Sequence, residues 1–159
     1  MTTDKFVFFY GGYFSQWYPQ AFDIDGVQYN CAEQYMMAMK AITFNDQEAL
    51  TKIMASGDPS LQKATGRLVK NFDPTVWNPV AKDYVYKANM AKFTANPKLF
   101  DYILSTGDRE IVEASPTDKI WGIGMDTSDP DLLDKSKWRG TNWLGEVLMQ
   151  VRNDLRSKV

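Results

Sequence analysis

A carboxylate stands three residues before a tryptophan, and a Gly-Ile-Gly run follows at once: Ser115-Pro116-Thr117-Asp118-Lys119-Ile120-Trp121-Gly122-Ile123-Gly124. An ionisable group, a flat ring and bare backbone together suit the holding of a ring-bearing polar ligand against an acid or base. The same letters also spell a helix start, with Ser115 as N-cap, Pro116 at the first helical position and Asp118 reaching back. Both readings stay open at this point. Glu33 and Lys40 form a second pair. Seven residues put them two turns apart on one helix face, roughly 10 Å along the axis at ~1.5 Å per residue. That is too far for a direct ion pair and suits contact with one shared ligand. Tyr35, Met36, Met37 and Met39 make their helix apolar. Burial there would raise a carboxylate pKa and lower that of a lysine, priming either for proton transfer or attack. Against this, Glu33 at the capping-box position of Asn30 and Lys40 on a solvated face would need no function at all.

Two further stretches carry polar chemistry. Gly140-Thr141-Asn142-Trp143-Leu144-Gly145 opens the last helix, and a glycine turn feeding a helix N-terminus can bind an anion through backbone N–H groups. Capping by Thr141 or Asn142 is the simpler account. Phe14-Ser15-Gln16-Trp17-Tyr18-Pro19 is an aromatic loop with a hydroxyl and an amide, able to pack in a core or to wall a pocket. Cys31 has no histidine to activate it and makes a poor nucleophile.

Composition limits the chemistry further. The chain of 159 residues is 44% hydrophobic and 24% charged, values that suit one soluble domain spanning residues 1–159. It has one cysteine and no histidine, so neither a Cys-based zinc site nor the commonest general base is present. Acid–base work falls to Asp, Glu, Lys, Tyr or water, and no metal or cofactor is expected. The net charge of −2 gives no basic excess for non-specific nucleic-acid binding, although a local basic face stays open. Met1–Lys5 is polar and no apolar run approaches the ~20 residues of a membrane span, so a soluble cytoplasmic protein is expected.

The positioning elements follow from pattern. Lys5–Tyr10 reads as a short strand, and the Asp25-Gly26 turn between Phe22 and Tyr29 as a hairpin. Helices are expected from Asn30 to about Ala41, from Asp46 to a stop at Gly57, and after Asp58-Pro59, Asp73-Pro74, Asn78-Pro79 and Asn96-Pro97. Glu110–Ala114 reads as a short strand and Asp126–Lys137 as a surface loop. Leu144, Val147, Leu148, Val151 and Leu155 give the last helix its apolar stripe. The expected fold is mainly α, a single multihelical domain with a small N-terminal β element.

The order and spacing of these pieces resemble the YbiA-like family, also called NADAR for its proposed link to NAD and ADP-ribose. The matching segments are Phe14-Ser15 with Trp17, Glu33-Gln34-Tyr35-Met36 with Lys40-Ala41 and Phe44, Gly66-Arg67, Trp77, Lys92-Phe93, and Leu104 through Gly107. The tail matches in Ala114-Ser115 with Asp118, Trp121 to Gly124, Gly140 with Asn142, Leu144-Gly145, and Arg152. One departure is Gln16, where the family often has Asn. The resemblance implies a multihelical fold and N-glycosidase activity, either on phosphorylated riboflavin-pathway intermediates or on ADP-ribosylated guanine. It implies Glu33, Lys40 and Asp118 as catalytic residues, and Phe14, Ser15, Trp17, Trp121, Gly122, Gly124 and Asn142 as substrate-binding ones. The oxocarbenium-like transition state of such a reaction needs a nearby carboxylate. The partner would be a small nucleotide-like substrate or a modified nucleic-acid base. Two rival readings are a module that binds ADP-ribose or NAD without cleaving it, and a protein-interaction domain with the aromatic loop as its docking surface.

Overall fold

A computed structural model describes residues 1–159. The fold is mainly α, with six helices and four short strands. Its contacts divide it into two units, Gln16–Pro97 and a second made of Met1–Ser15 with Lys98–Val159.

The strands take their numbers in chain order: β1 is Phe6–Phe9, β2 is Phe22–Ile24, β3 is Val27–Tyr29 and β4 is Glu110–Glu113. In the Gln16–Pro97 unit, β2 and β3 form an antiparallel hairpin with Phe22 opposite Tyr29. Asp25 and Gly26 both take positive φ, 52° and 80°. That is the mirror-image turn whose twist suits a two-residue hairpin loop.

The helices are α1 Ala32–Thr43, α2 Gln47–Ala55, α3 Pro59–Arg67, α4 Pro74–Thr94, α5 Pro97–Ser105 and α6 Trp143–Arg156. Asp46, Asp58 and Asp73 cap α2, α3 and α4 by accepting the backbone N–H groups of Ala49, Ser60 and Thr75. Each satisfies a donor that the helix itself leaves orphaned.

One expected start is corrected. Asn78-Pro79 does not open a helix; Pro79 lies inside α4. Its missing N–H costs the helix one bond to the Thr75 carbonyl, and Pro74 with its Asp73 cap had already nucleated the run.

α1 is the hub of this unit and packs against α2, α3 and α4. Gly66 lets α3 approach closely, since a Cβ there would collide with Met37 Sδ. Tyr35 of α1 meets Tyr29 at 4.9 Å and Tyr84 at 6.2 Å, ring to ring, which ties the hairpin and α4 to one aromatic cluster.

In the other unit β1 pairs with β4 in parallel, Phe6 opposite Glu110 through Phe9 opposite Glu113. The first strand therefore takes its partner from about a hundred residues downstream rather than from the hairpin. α6 lies on β4, with Gly145 so close that a Cβ would strike the Ile111 carbonyl. Phe8, Val112, Ala114, Ile123, Met125 and Leu132 form the buried core, with Phe6 and Trp138 at its edge. The whole apolar stripe of α6 is buried, as its spacing requires.

Candidate active site

Glu33 sits in the first turn of α1 and is buried, only 6% exposed. The expected capping box is corrected. Cys31, not Asn30, is the N-cap, and it makes no side-chain capping bond. The residue that reaches back is Gln34, whose Oε1 accepts the Asn30 N–H at 2.8 Å. Gln34 also donates to the carbonyls of Ile53 and Ser56, so its amide is consumed in holding α1 to α2. Capping thus falls to the neutral amide. The Glu33 carboxylate is buried beside that cap, and its backbone N–H donates to the Gln16 carbonyl at 3.0 Å.

Lys40 is half-buried, and its Nζ lies 4.3 Å from the centre of the Phe72 ring. Burial pulls its pKa below the ordinary lysine range; the Glu33 carboxylate opposes this, and the Arg67 guanidinium adds to it. Glu33 and Lys40 therefore share one electrostatic environment, as their spacing suggested. Trp17 is 43% exposed, with the Lys63 ammonium 5.9 Å from its ring.

Lys92 is a further titratable group of this unit. It is fully buried on α4 beside Tyr18 and Phe93, with Nζ 5.6 Å and 5.1 Å from the two ring centres. Burial lowers its pKa to about 7, against a smaller upward pull from the Cys31 thiol. The Cys31 thiol is itself pushed up by burial and donates to Gln62 Oε1 at 3.3 Å. A protonated, hydrogen-bonded thiol is no nucleophile, in line with the sequence reading. In the sequence Lys92-Phe93 stands among the family-like segments, and Lys92 is not among the candidate site residues. A signal was there: with Ala81, Val85 and Ala88 it falls on the apolar stripe of α4, at i, i+4, i+7 and i+11.

The residues singled out in the other unit form a knot of backbone and side-chain bonds. No helix starts at Ser115, so of the two open readings the helix start gives way to a capped turn. Ser115 Oγ accepts the Asp118 N–H at 3.1 Å, and Asp118 Oδ1 accepts the N–H groups of Ile120 and Trp121 at 2.9 and 2.8 Å. Asp118 is thus the hinge pin of the turn that carries Trp121. The Trp121 ring stands edge-on to Trp143 at 5.5 Å.

Gly122 is required by crowding: a Cβ would lie 3.0 Å from the carbonyls of Asp118 and Glu113. Gly124 has φ of 70°, the left-handed region. Asn142 also has positive φ, and its amide is committed to β4: Oδ1 accepts the Glu113 N–H and Nδ2 donates to the Ile111 carbonyl, both at 3.0 Å.

The same knot occupies the N–H groups that lead into α6. The N–H groups of Asn142, Trp143 and Leu144 already donate to the carbonyls of Gly122, Ile120 and Trp121. Phe14 is core, 1% exposed between Phe9 and Tyr102, and the Ser15 N–H closes a turn onto Gly12.

Residues 8–156 match the NADAR domain model. The N-glycosidase R617 of Acanthamoeba polyphaga mimivirus is 44% identical over 167 residues, covering 97% of this chain and 98% of the relative. This chain belongs to the NADAR family. Its fold is also that of a solved relative: the NMR structure of the E. coli protein YbiA matches with a TM-score of 0.80 at 25% identity, over 99% of this chain and 89% of that one. A riboflavin biosynthesis protein of Vibrio vulnificus is 27% identical over 91% of this chain, which spans 36% of that longer protein. Like its N-glycosidase relatives, this NADAR protein is an enzyme, a hydrolase of N-glycosyl bonds. No helix is long and apolar enough to cross a membrane.

Proposed function

We propose that this NADAR protein cleaves the bond between a ribose anomeric carbon and a base nitrogen in a phosphate-bearing nucleotide. Two substrate types fit: an ADP-ribosylated base such as ADP-ribosyl-guanine, and a phosphorylated riboflavin-pathway intermediate. The observation that carries the reading is the buried Glu33 carboxylate, within electrostatic reach of half-buried Lys40. A carboxylate withdrawn from water acts on developing positive charge more strongly than an exposed one. As the C–N bond lengthens, charge grows on the anomeric carbon and ring oxygen, and Glu33 stabilises it. Water then adds to the anomeric carbon, and the departing nitrogen takes a proton.

The Arg67 guanidinium helps hold the Lys40 pKa down, and a bound phosphate would relieve that repulsion. Lys40 therefore binds a phosphate or hydroxyl of the substrate, or attacks the opened sugar as an amine. Trp17 offers a ring face for a base. Asp118 holds the turn that carries Trp121. Phe14 and Asn142 serve as framework.

The test is chromatographic detection of base release from ADP-ribosylated guanine DNA, riboflavin intermediates, NAD and ADP-ribose. Glu33→Gln keeps the shape and removes the charge. Turnover should fall by about 10²-fold or more while ligand affinity changes little. A folded Glu33→Gln protein with full turnover would overturn the mechanism. Tight ADP-ribose binding without base release from any substrate would favour a binding module instead.

A further inference from the structure

The loop that carries Trp17 is held in an unusual way. Gln16 and Asn89 of α4 exchange both hydrogen bonds of their amides: Gln16 Nε2 donates to Asn89 Oδ1 at 3.3 Å, and Asn89 Nδ2 donates to Gln16 Oε1 at 3.2 Å. Asn89 is fully buried, and its Nδ2 donates a second bond to the Val85 carbonyl at 2.8 Å. All the hydrogen-bonding capacity this amide needs is met only while Gln16 is there. The Gln16 carbonyl accepts the N–H of Glu33. One residue thus joins α4, the Trp17 loop and the first turn of the helix that bears Glu33. Two residues on, Tyr18 lies against buried Lys92, three residues along α4 from Asn89, which fastens the loop at a second point.

We propose that Gln16 and Asn89 are positioning residues of the glycosidase site, an amide lock that sets the Trp17 loop and the start of α1 in one fixed geometry. The inference rests on the reading of Glu33 as the charge-stabilising carboxylate. The lock is matched in length. Asn at position 16 would be shorter by one methylene, about 1.5 Å. It could not reach Asn89 and would leave a fully buried amide unsatisfied. A lost partner of this kind carries the full desolvation penalty of the exposed group. Gln at 89 would restore the span from the other side.

The experiment uses Gln16→Asn, Asn89→Gln and the double exchange in the full chain, each shown folded by circular dichroism. Gln16→Met, which keeps the length without the amide, stands in if Gln16→Asn does not fold. Hydrogen exchange followed by NMR reads the Glu33 amide, and steady-state kinetics read the same variants on the substrate that the wild type hydrolyses. Gln16→Asn should exchange the Glu33 amide at least tenfold faster and lower kcat about tenfold with KM within about twofold. The double exchange should recover both to within about threefold of wild type. A destabilised fold without a positioning role would not divide kcat from KM in this way. Unchanged Glu33 exchange and kcat in Gln16→Asn, or a double exchange no better than the poorer single variant, would overturn the lock. If the wild type releases no base from any substrate, the glycosidase reading fails, and the exchange measurement still decides whether the lock exists.

Discussion

Replacing Lys92 by methionine should stabilise the protein at neutral pH, with an advantage that fades as the pH rises. A fully buried amine whose pKa falls from 10.5 to about 7 is held neutral far below its ordinary range. Each pKa unit corresponds to about 1.4 kcal/mol between folded and unfolded chains, so the displacement costs about 5 kcal/mol where lysine is charged in both. Below pH 7 both states bind the proton and the full penalty applies. Between pH 7 and 10.5 the unfolded chain binds a proton that the folded one does not, so folded-state stability climbs with pH. Linkage with these values leaves a penalty of about 4 kcal/mol at pH 7 and about 1 kcal/mol at pH 10.

Methionine has a similar length, no charge and a side chain that adapts to irregular cores. The assay is urea unfolding of wild type and Lys92→Met at half-unit steps from pH 6.5 to 10. Tyr29, Tyr35 and Tyr102 are all pushed up by burial, Tyr35 to about 12, and these pull stability down at high pH. They do so equally in both proteins, so the difference isolates Lys92. That difference should shrink by about 4 kcal/mol across the range. A difference that stays constant to within about 1 kcal/mol would refute the claim that Lys92 folds as a neutral amine.

Asn142→Ala removes both side-chain bonds to β4 and leaves the Glu113 N–H and Ile111 carbonyl without them. It should cost about 2–4 kcal/mol in chemical denaturation, near the sum of two buried polar groups left unpaired. Gly145→Ala drives a methyl into the Ile111 carbonyl, which as backbone cannot swing away, and should reduce the melting temperature more than any surface alanine substitution on α6. Phe72→Ala removes the ring 4.3 Å from Lys40 Nζ. With a cation–π contact at an exposed site worth about 0.5–1 kcal/mol, KM should rise about two- to fivefold with kcat little changed. Borohydride added during turnover should yield a sugar adduct on Lys40 if its amine attacks the substrate; with no adduct, Lys40 is a phosphate or hydroxyl ligand.

Local signals were legible and non-local ones were not. Asp46, Asp58 and Asp73 announced their helices because an N-cap is settled within three residues. Asp25-Gly26 announced its hairpin for the same reason. Pro79 misled because a proline after asparagine looks like a beginning, and only the cap at Asp73 shows that the helix had already begun. The partner of β1 could not be read from Phe6–Phe9, since a parallel strand is found by tertiary packing and not by spacing. Of the site, the Glu33–Lys40 pairing followed from helical period, whereas the transfer of capping to Gln34 depended on α2 presenting the Ile53 and Ser56 carbonyls. Asp118 shows the opposite limit. Its carboxylate accepts the N–H groups of Ile120 and Trp121, and no spacing distinguishes a carboxylate aimed at a ligand from one aimed at an amide.

The parallel pairing of β1 with β4 also has a temporal side. Every contact inside Gln16–Pro97 lies within one continuous stretch of chain, so that unit can assemble while the polypeptide is still being made. β1 is synthesised about a hundred residues before its partner and must wait, aromatic and without β4, until Glu110–Glu113 emerges. At 5–20 residues per second that wait lasts roughly 5 to 20 seconds. An apolar strand with open edges is the part of a nascent chain most prone to stick to a neighbour. The sequence flanks it with Asp4 and Lys5 on one side and Gly11-Gly12 on the other, charge and turn residues that discourage extension of a mispaired sheet. Truncation before Glu110 should therefore leave a chain that aggregates through β1.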